Sequence, residues 1–310
     1  MNRRKRPCLW TALYAVLLIS FTAYVLLDAF VIPRSYVVLD STQTQEISAS
    51  SSNTDTASSD SSSSSDAVIT DSTYDDGSIS ITITSYREND TDIYVADITL
   101  SSADDLLTAF ADNTYGKNIT ETTSDIAAAN DAILAINGDF YGTRDGYVIR
   151  NGVLYRDSSA GSSQEDLVIY EDGTVDIIQE GDISAETLLD NGAAQVLSFG
   201  PGLVEDSQVS VTQDEEVGKA MASNPRTAIG IIDDLHYVMV VADGRTEQSS
   251  GLSLYELAEF MQTTLGVTTA YNLDGGGSST MYFNGTVVNH PTTNGQKISE
   301  RSVSDIVYIK

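Results

Sequence analysis

From Leu9 to Leu27 the chain reads LWTALYAVLLISFTAYVLL, 19 positions without a charge. At about 1.5 Å rise per residue, a helix of that length covers nearly all of the ~30 Å hydrocarbon core of a bilayer. The pattern predicts one transmembrane helix within residues 9–32, with Asp28 and Arg34 marking its far boundary. Before it lies a short basic tail, residues 1–8, carrying Arg3, Arg4, Lys5 and Arg6. By the positive-inside bias these cations stay in the cytoplasm, so the rest of the chain is placed outside. Trp10 and Tyr36 fall where the two interfaces are expected. A cleaved signal peptide is the competing reading. The length of the run and the lack of a small-x-small cleavage site favour an uncleaved anchor.

Residues 33–76 read differently. The stretch SASSSNTDTASSDSSSSSD holds almost nothing that can be buried. Such a segment cannot offset its ordering entropy. It predicts a Ser/Asp/Thr-rich disordered linker that holds the following domain away from the membrane.

From Gly77 to Lys310 apolar periods return, and helix and strand signals are interspersed. ISITITSY and TDIYVADITL alternate as strands do. SSADDLLTAF reads as a capped helix with Ser102 at its start, and SDIAAAN as a second short helix capped by Ser124. AILAIN is an apolar strand with both faces buried. LVIYEDGTVDII predicts a hairpin around Asp172-Gly173, AETLL a short helix, and Gly200-Pro201-Gly202 a chain reversal. TAIGIID and LHYVMVVAD predict strands flanking Asp233-Asp234. SLYELAEFMQTTLG is the clearest helix: Ser253 and Glu256 form a capping box, Leu254, Leu257, Ala258, Met261 and Leu265 make one stripe, and Gly266 ends it. TTAYNL, TMYFNGTVVN and SVSDIVYI complete the strands. Strands outnumber helices, which predicts an α+β domain built on mixed sheet.

Charge narrows the partners. The chain has a formal net charge of −29, and five of its 16 Lys and Arg lie in the first 34 residues. So acidic an outer surface repels nucleic acid. The single cysteine, Cys8, lies at the cytoplasmic edge of the span. A disulfide-free outer domain suits a bacterial surface protein better than an animal secreted one. The sequons at Asn89, Asn118 and Asn284 then read as chance matches.

Four segments place a carboxylate or arginine beside glycine at a strand end, where sites are usually built. They are AINGDFYG with Asn137 and Asp139, NPRTAIG with Arg226, VVADGR with Asp243 and Arg245, and NLDGGGSST with Asp274. The run Gly275, Gly276, Gly277, Ser278, Ser279 suggests close approach to the backbone and N–H groups free to hold an anion. It lacks the lysine of a P-loop. Taken singly, each segment reads equally well as a turn. Arg226 and Arg301 are either structural ion pairs or bidentate phosphate receivers. No G-x-S-x-G, H-E-x-x-H or cysteine-based motif is present. His236 and His290 suggest no triad.

Taken in order, AINGDFYG, QVLSFGPGLVEDSQ, NPRTAIGI, VVADGR, NLDGGGSSTMYFNG and ERSVSDIVYI resemble the phosphodiester glycosidase family, most clearly from Ala128 to Lys310. The resemblance implies hydrolysis at an anomeric carbon bonded to a phosphate diester, and the anchor and acidic spacer point to a cell-envelope or extracellular glycan. It makes Asp274 and Asp139 candidates beside the anomeric carbon and Arg226 and Arg301 candidates on the phosphate. Asn137, Asp243, Arg245 and Gly275 to Ser279 then orient the substrate. No cofactor is required. Calcium is implied as a structural ion. Two alternatives stay open: a non-catalytic glycan-binding or exopolysaccharide-assembly protein, and a metal-dependent phosphodiesterase.

Overall fold

The computed structural model describes residues 9–36, 67–214 and 223–310. The basic tail and most of the expected linker, residues 37–66, lie outside the described residues. The uncharged run is helical over Leu9–Phe30, and its stretch Leu13–Phe30 is not buried against the rest of the chain. By length and composition this helix is able to cross a bilayer.

Three antiparallel sheets build the domain. The largest has nine strands in the order Gln208–Val209, Gly202–Glu205, Thr269–Asn272, Arg226–Asp233, His236–Ala242, Thr91–Leu100, Ile79–Glu88, Thr73–Asp75 and Val68–Ile69. A five-stranded sheet runs Thr286–Val287, Met281–Phe283, Leu134–Asn137, Asp305–Ile309 and Leu106–Phe110. The other five-stranded sheet runs Val153–Arg156, Val148–Arg150, Ala193–Leu197, Glu165–Tyr170 and Val175–Gln179.

Side chains alternate across each strand, and here both faces are apolar. Tyr237, Met239 and Val241 point to a central core, which they share with Leu134, Ile136, Val307, Leu167 and Ile169. Their alternates, Val238, Val240 and Ala242, face the helix Leu254–Phe260. Ala135, Ile306 and Tyr308 likewise meet the helix Thr123–Ala129, and Val168 and Val196 meet Ala185–Asp190. The inner faces thus make one core, and a short helix covers the outer face of each sheet. This explains the unbroken apolar runs in antiparallel strands, whose outer faces are often solvated.

The α+β expectation holds, with local corrections. Ser102 does cap, accepting from the Asp104 N–H, but only a single 3-10 turn, Ala103–Asp105, follows it. Leu106–Phe110 is a strand, because its apolar side chains complete the second sheet. Thr122 rather than Ser124 caps the helix Thr123–Ala129. The capping box of Ser253 and Glu256 is present, and Gly266 ends that helix at φ 73°.

Ordered structure also begins before Gly77. Val68–Ile69 and Thr73–Asp75 add two edge strands, too short and polar to register as a pattern. Arg34–Ser35 pairs with Gly116–Lys117, and Tyr36 packs on Tyr115 with ring centroids 5.7 Å apart. These contacts join the end of the apolar helix to the domain directly, which differs from a spacer acting over its whole length.

Candidate active site

The strand ends of two sheets meet at one seam. Leu273 N–H donates to Thr227 O at 2.9 Å, Asp274 N–H to Gly138 O at 3.2 Å, and Gly138 N–H to Asp305 O at 2.9 Å. Asn137 stitches the seam: its Nδ2 donates to Asp274 O at 2.6 Å, and its Oδ1 accepts from Thr227 Oγ1 at 2.8 Å. Asn137 is fully buried, so it holds the Asp274 backbone rather than facing a ligand.

Above this seam lies a cavity of about 210 Å³. Among the described residues Asp274 is the one carboxylate on its wall, and Arg226, Arg245 and Arg301 supply three guanidiniums. Asn224, Asn272, Phe199, Leu273, Gly275 and Gly276 complete it. Arg301 Nη2 lies 3.1 Å from Asp274 Oδ2. Its Nε and Nη2 also donate to Ser278 Oγ at 3.0 and 2.5 Å. Arg245 is fixed by Asn224 Oδ1 at 2.9 Å from Nη2 and by Thr293 O at 2.6 Å from Nη1. Arg226 is almost wholly buried, with Nε donating to Leu252 O at 2.8 Å.

Burial pushes the Asp274 carboxyl above the usual carboxylate range, and the Arg301 charge opposes that shift. Burial lowers Arg245, and the Arg301 and Arg226 charges lower it further. Three guanidiniums thus line one cavity with Asp274, which is paired to Arg301, and such groups suit the binding of an anion.

The glycine run has a different reason from the one expected. Gly276 N–H donates to Pro225 O at 2.8 Å, and Ser278 and Ser279 N–H return to the carbonyls of Gly275 and Gly276. Those donors are therefore not a free anion cradle. The glycines allow close approach: a Cβ on Gly275 would lie 2.9 Å from Pro225 O, and one on Gly276 (φ +61°) 2.8 Å from Arg245 Nη2. Gly275 and Gly276 line the cavity. Gly277 packs on Thr293, and Ser279 is buried with its carbonyl accepting from Asn289.

The other two expected carboxylates, like Asn137, Gly277, Ser278 and Ser279, do not line the cavity. Asp139 is 0% exposed and sits 2.9 Å from Arg150, which also pairs with Asp305 at 3.0 Å. It accepts from the N–H groups of Ser198 and Tyr141, at 2.7 and 3.1 Å. Its two oxygens are thus spent inside the fold, beneath Asp274 rather than beside an anomeric carbon. Asp243 is held by Asn289 Nδ2 at 2.9 Å and by His290 N–H at 3.0 Å, fixing the loop after Phe283. Among the described residues no three His, Cys, Asp or Glu side chains converge to hold a metal. Calcium, which the resemblance implies as a structural ion, also takes carbonyl and amide oxygens.

A second buried acid pair lies nearby. Burial and then the Glu180 carboxylate push Asp166 up to about 9. Burial also opposes the Glu180 charge, but hydrogen bonds led by Asp166 and joined by the Tyr147 N–H hold it low. Asp166 takes up a proton on folding, so its contribution to stability is greatest below the unfolded value, near pH 4, and falls as pH rises towards 9. Asp166→Asn is expected to flatten the loss of thermal midpoint between pH 6 and 9, read by circular dichroism. A variant as pH-sensitive as the wild type contradicts this.

A family model for phosphodiester glycosidase matches residues 130–310, more than half of the chain and every wall of the cavity. The chain belongs to the phosphodiester glycosidase family. Mouse N-acetylglucosamine-1-phosphodiester alpha-N-acetylglucosaminidase is 33% identical over 189 residues, covering 55% of this chain and 35% of the relative. The SPbeta prophage-derived uncharacterized protein YomE of Bacillus subtilis is 32% identical over 181 residues, covering 57% of this chain and 28% of the relative. The match thus spans about a third of these relatives' length. Among solved structures, the catalytic domain of the zebrafish N-acetylglucosamine-1-phosphodiester alpha-N-acetylglucosaminidase, auto-inhibited by its pro-peptide, superposes with TM-score 0.59 at 21% identity. That superposition covers 74% of this chain and 82% of the zebrafish chain, and it shows the same fold.

In this phosphodiester glycosidase domain, sequence reasoning missed Asn224, Asn272 and Phe199 on the cavity wall and Arg150 and Asp305 beneath it. Asn224 and Asn272 each sit two residues before a residue that was singled out, and neutral amides carry little signal. Arg150 lies in a segment, VIRNG, that reads only as strand and turn.

Proposed function

We propose that the domain hydrolyses the glycosidic bond of a sugar-1-phosphodiester in a glycan outside the cytoplasm, anchored by the helix Leu9–Phe30. The supporting observation is that, among the described residues, one carboxylate and three guanidiniums line the same cavity. Cleavage between C1 and the phosphate oxygen develops positive charge on the sugar ring. Asp274 is placed to meet that charge as nucleophile or electrostatic partner. The leaving group is a phosphate monoester, which departs without the proton an alkoxide needs. Arg226, Arg245 and Arg301 hold its oxygens as charge accumulates there. Water adds to C1, the C1–O bond breaks, and free sugar and a phosphate monoester are released.

Asn272 supports a polar ligand on the same wall. Its Nδ2 donates to Gly200 O at 2.8 Å, while its buried Oδ1 has no protein partner. That acceptor suits a sugar hydroxyl. The names of the mammalian relatives favour an N-acetylglucosamine unit on the sugar side. The apolar helix and the Arg34–Ser35 pairing favour a glycan of the cell envelope.

The test is the identity of the products. Purified full-length protein in detergent, given a synthetic N-acetylglucosamine-1-phosphate methyl diester, is expected to release free sugar and methyl phosphate. Release of sugar phosphate and methanol supports the phosphodiesterase reading instead. Saturable binding with no product supports a glycan-binding protein.

A further inference from the structure

We propose that a second cavity, of about 510 Å³, binds the next phosphate-bearing sugar on the far side of the scissile phosphate. This deepens the proposed function and rests on it. The cavity is walled by Tyr36, Tyr115 and Tyr155 together with Lys117, Arg144, Arg156 and Asp145. Tyr115 sits at the centre of the aromatic group, 5.7 Å from Tyr36 and 5.1 Å from Tyr155. It stacks on Tyr141 at 5.2 Å with the rings 22° apart.

Three observations identify the occupant. The first is charge. The whole chain has only 16 Lys and Arg against 45 Asp and Glu, yet three cations meet one carboxylate here. Such local enrichment selects an anion. The second is ring surface. Tyr36 is 50% exposed, and Tyr115 and Tyr155 are partly exposed, so these rings are not simply core. Aromatic faces carry negative potential and attract the C–H face of a pyranose, while the phenol oxygens serve its hydroxyls.

The third is continuity with the catalytic cavity. Arg144 Nη2 donates to Phe199 O at 3.2 Å, and its guanidinium carbon lies 4.2 Å over the Phe199 ring. Phe199 itself lines the cavity of Asp274. One stacked pair therefore separates the two cavities. Arg156 is fixed on the same wall, with Nη1 donating to Tyr141 O at 3.1 Å. A phosphate on the neighbouring sugar answers the charge of Lys117, Arg144 and Arg156.

Two substrates test this with the full chain in detergent: the single-unit methyl diester, and a compound with a second phosphate-bearing hexosamine beyond the scissile phosphate. Tyr36→Ala and Lys117→Glu alter partly exposed side chains and leave the core intact. Each is expected to raise the ratio of KM for the two-unit compound to KM for the single-unit compound about tenfold, the equivalent of one stacking or charge-assisted contact. An unchanged ratio in both variants overturns the proposal. If the wild type turns over neither compound, the proposed chemistry fails separately, and calorimetry then reads the cleft alone. Tighter binding of the two-unit compound to wild type than to either variant upholds the cleft, and equal binding overturns it.

Discussion

Asp274→Asn is expected to lower kcat on a sugar-1-phosphodiester by about a thousandfold or more while leaving the protein folded. The substitution keeps the size of the side chain and a hydrogen-bonding oxygen, but removes the charge facing the anomeric carbon. Asp274 is only 8% exposed, and burial already works against its ionised form, so neutralising it does not threaten the fold. The thermal midpoint is expected to stay level or to rise slightly. Among the described residues Asp274 is the only carboxylate on the cavity wall, so none of them offers a second acid to substitute for it. Retention of more than about a tenth of the wild-type rate removes Asp274 from the chemistry.

The other large effect is on stability and lies below the cavity. Arg150 is 3% exposed and bridges Asp139 and Asp305, both 0% exposed. Burial works against the Arg150 charge, but the two carboxylates outweigh it and raise its pKa. Burial first, and the Asp139 carboxylate second, push Asp305 above the usual carboxylate range. One cation thus holds two acids that are buried together.

Arg150→Met leaves both acids unpaired, which in buried ion pairs costs about 3–5 kcal/mol. For a domain of this size the thermal midpoint is expected to fall by on the order of 10 °C. Adding Asp139→Asn and Asp305→Asn to Arg150→Met is expected to recover part of the loss, because the penalty belongs to the uncompensated carboxylates. A single variant that melts within about 2 °C of wild type rules out that description of the cluster. Asp139 is then a buried structural acid held by Arg150, Ser198 and Tyr141, apart from the cavity that Asp274 lines.

How much of this was readable beforehand varies by level. The strand Leu134–Asn137, the hairpin around Asp172-Gly173 and the capped helix after Ser253 follow from period, turn chemistry and capping, all local signals. Leu106–Phe110 misled because its capping serine and two acids mimic a helix start, while the sheet beside it decides the outcome. In the site, Asp274, Arg226, Arg245 and Arg301 were marked by charge beside strand ends. Asp139 carried the same mark and turned inward. The difference is made by Arg150 and Asp305, which are 11 and 166 residues further along the sequence and adjacent only in space. The glycines were marked too, but for a reason that only packing against Pro225 and Arg245 reveals.

The central claim is that the bond between C1 and oxygen breaks while the arginines keep the phosphate oxygens intact. Hydrolysis in water enriched with heavy oxygen, followed by mass spectrometry of both products, tests it most directly. The geometry predicts the label on the released sugar and none on the phosphate monoester. Label on phosphorus, with the sugar leaving unlabelled, contradicts it.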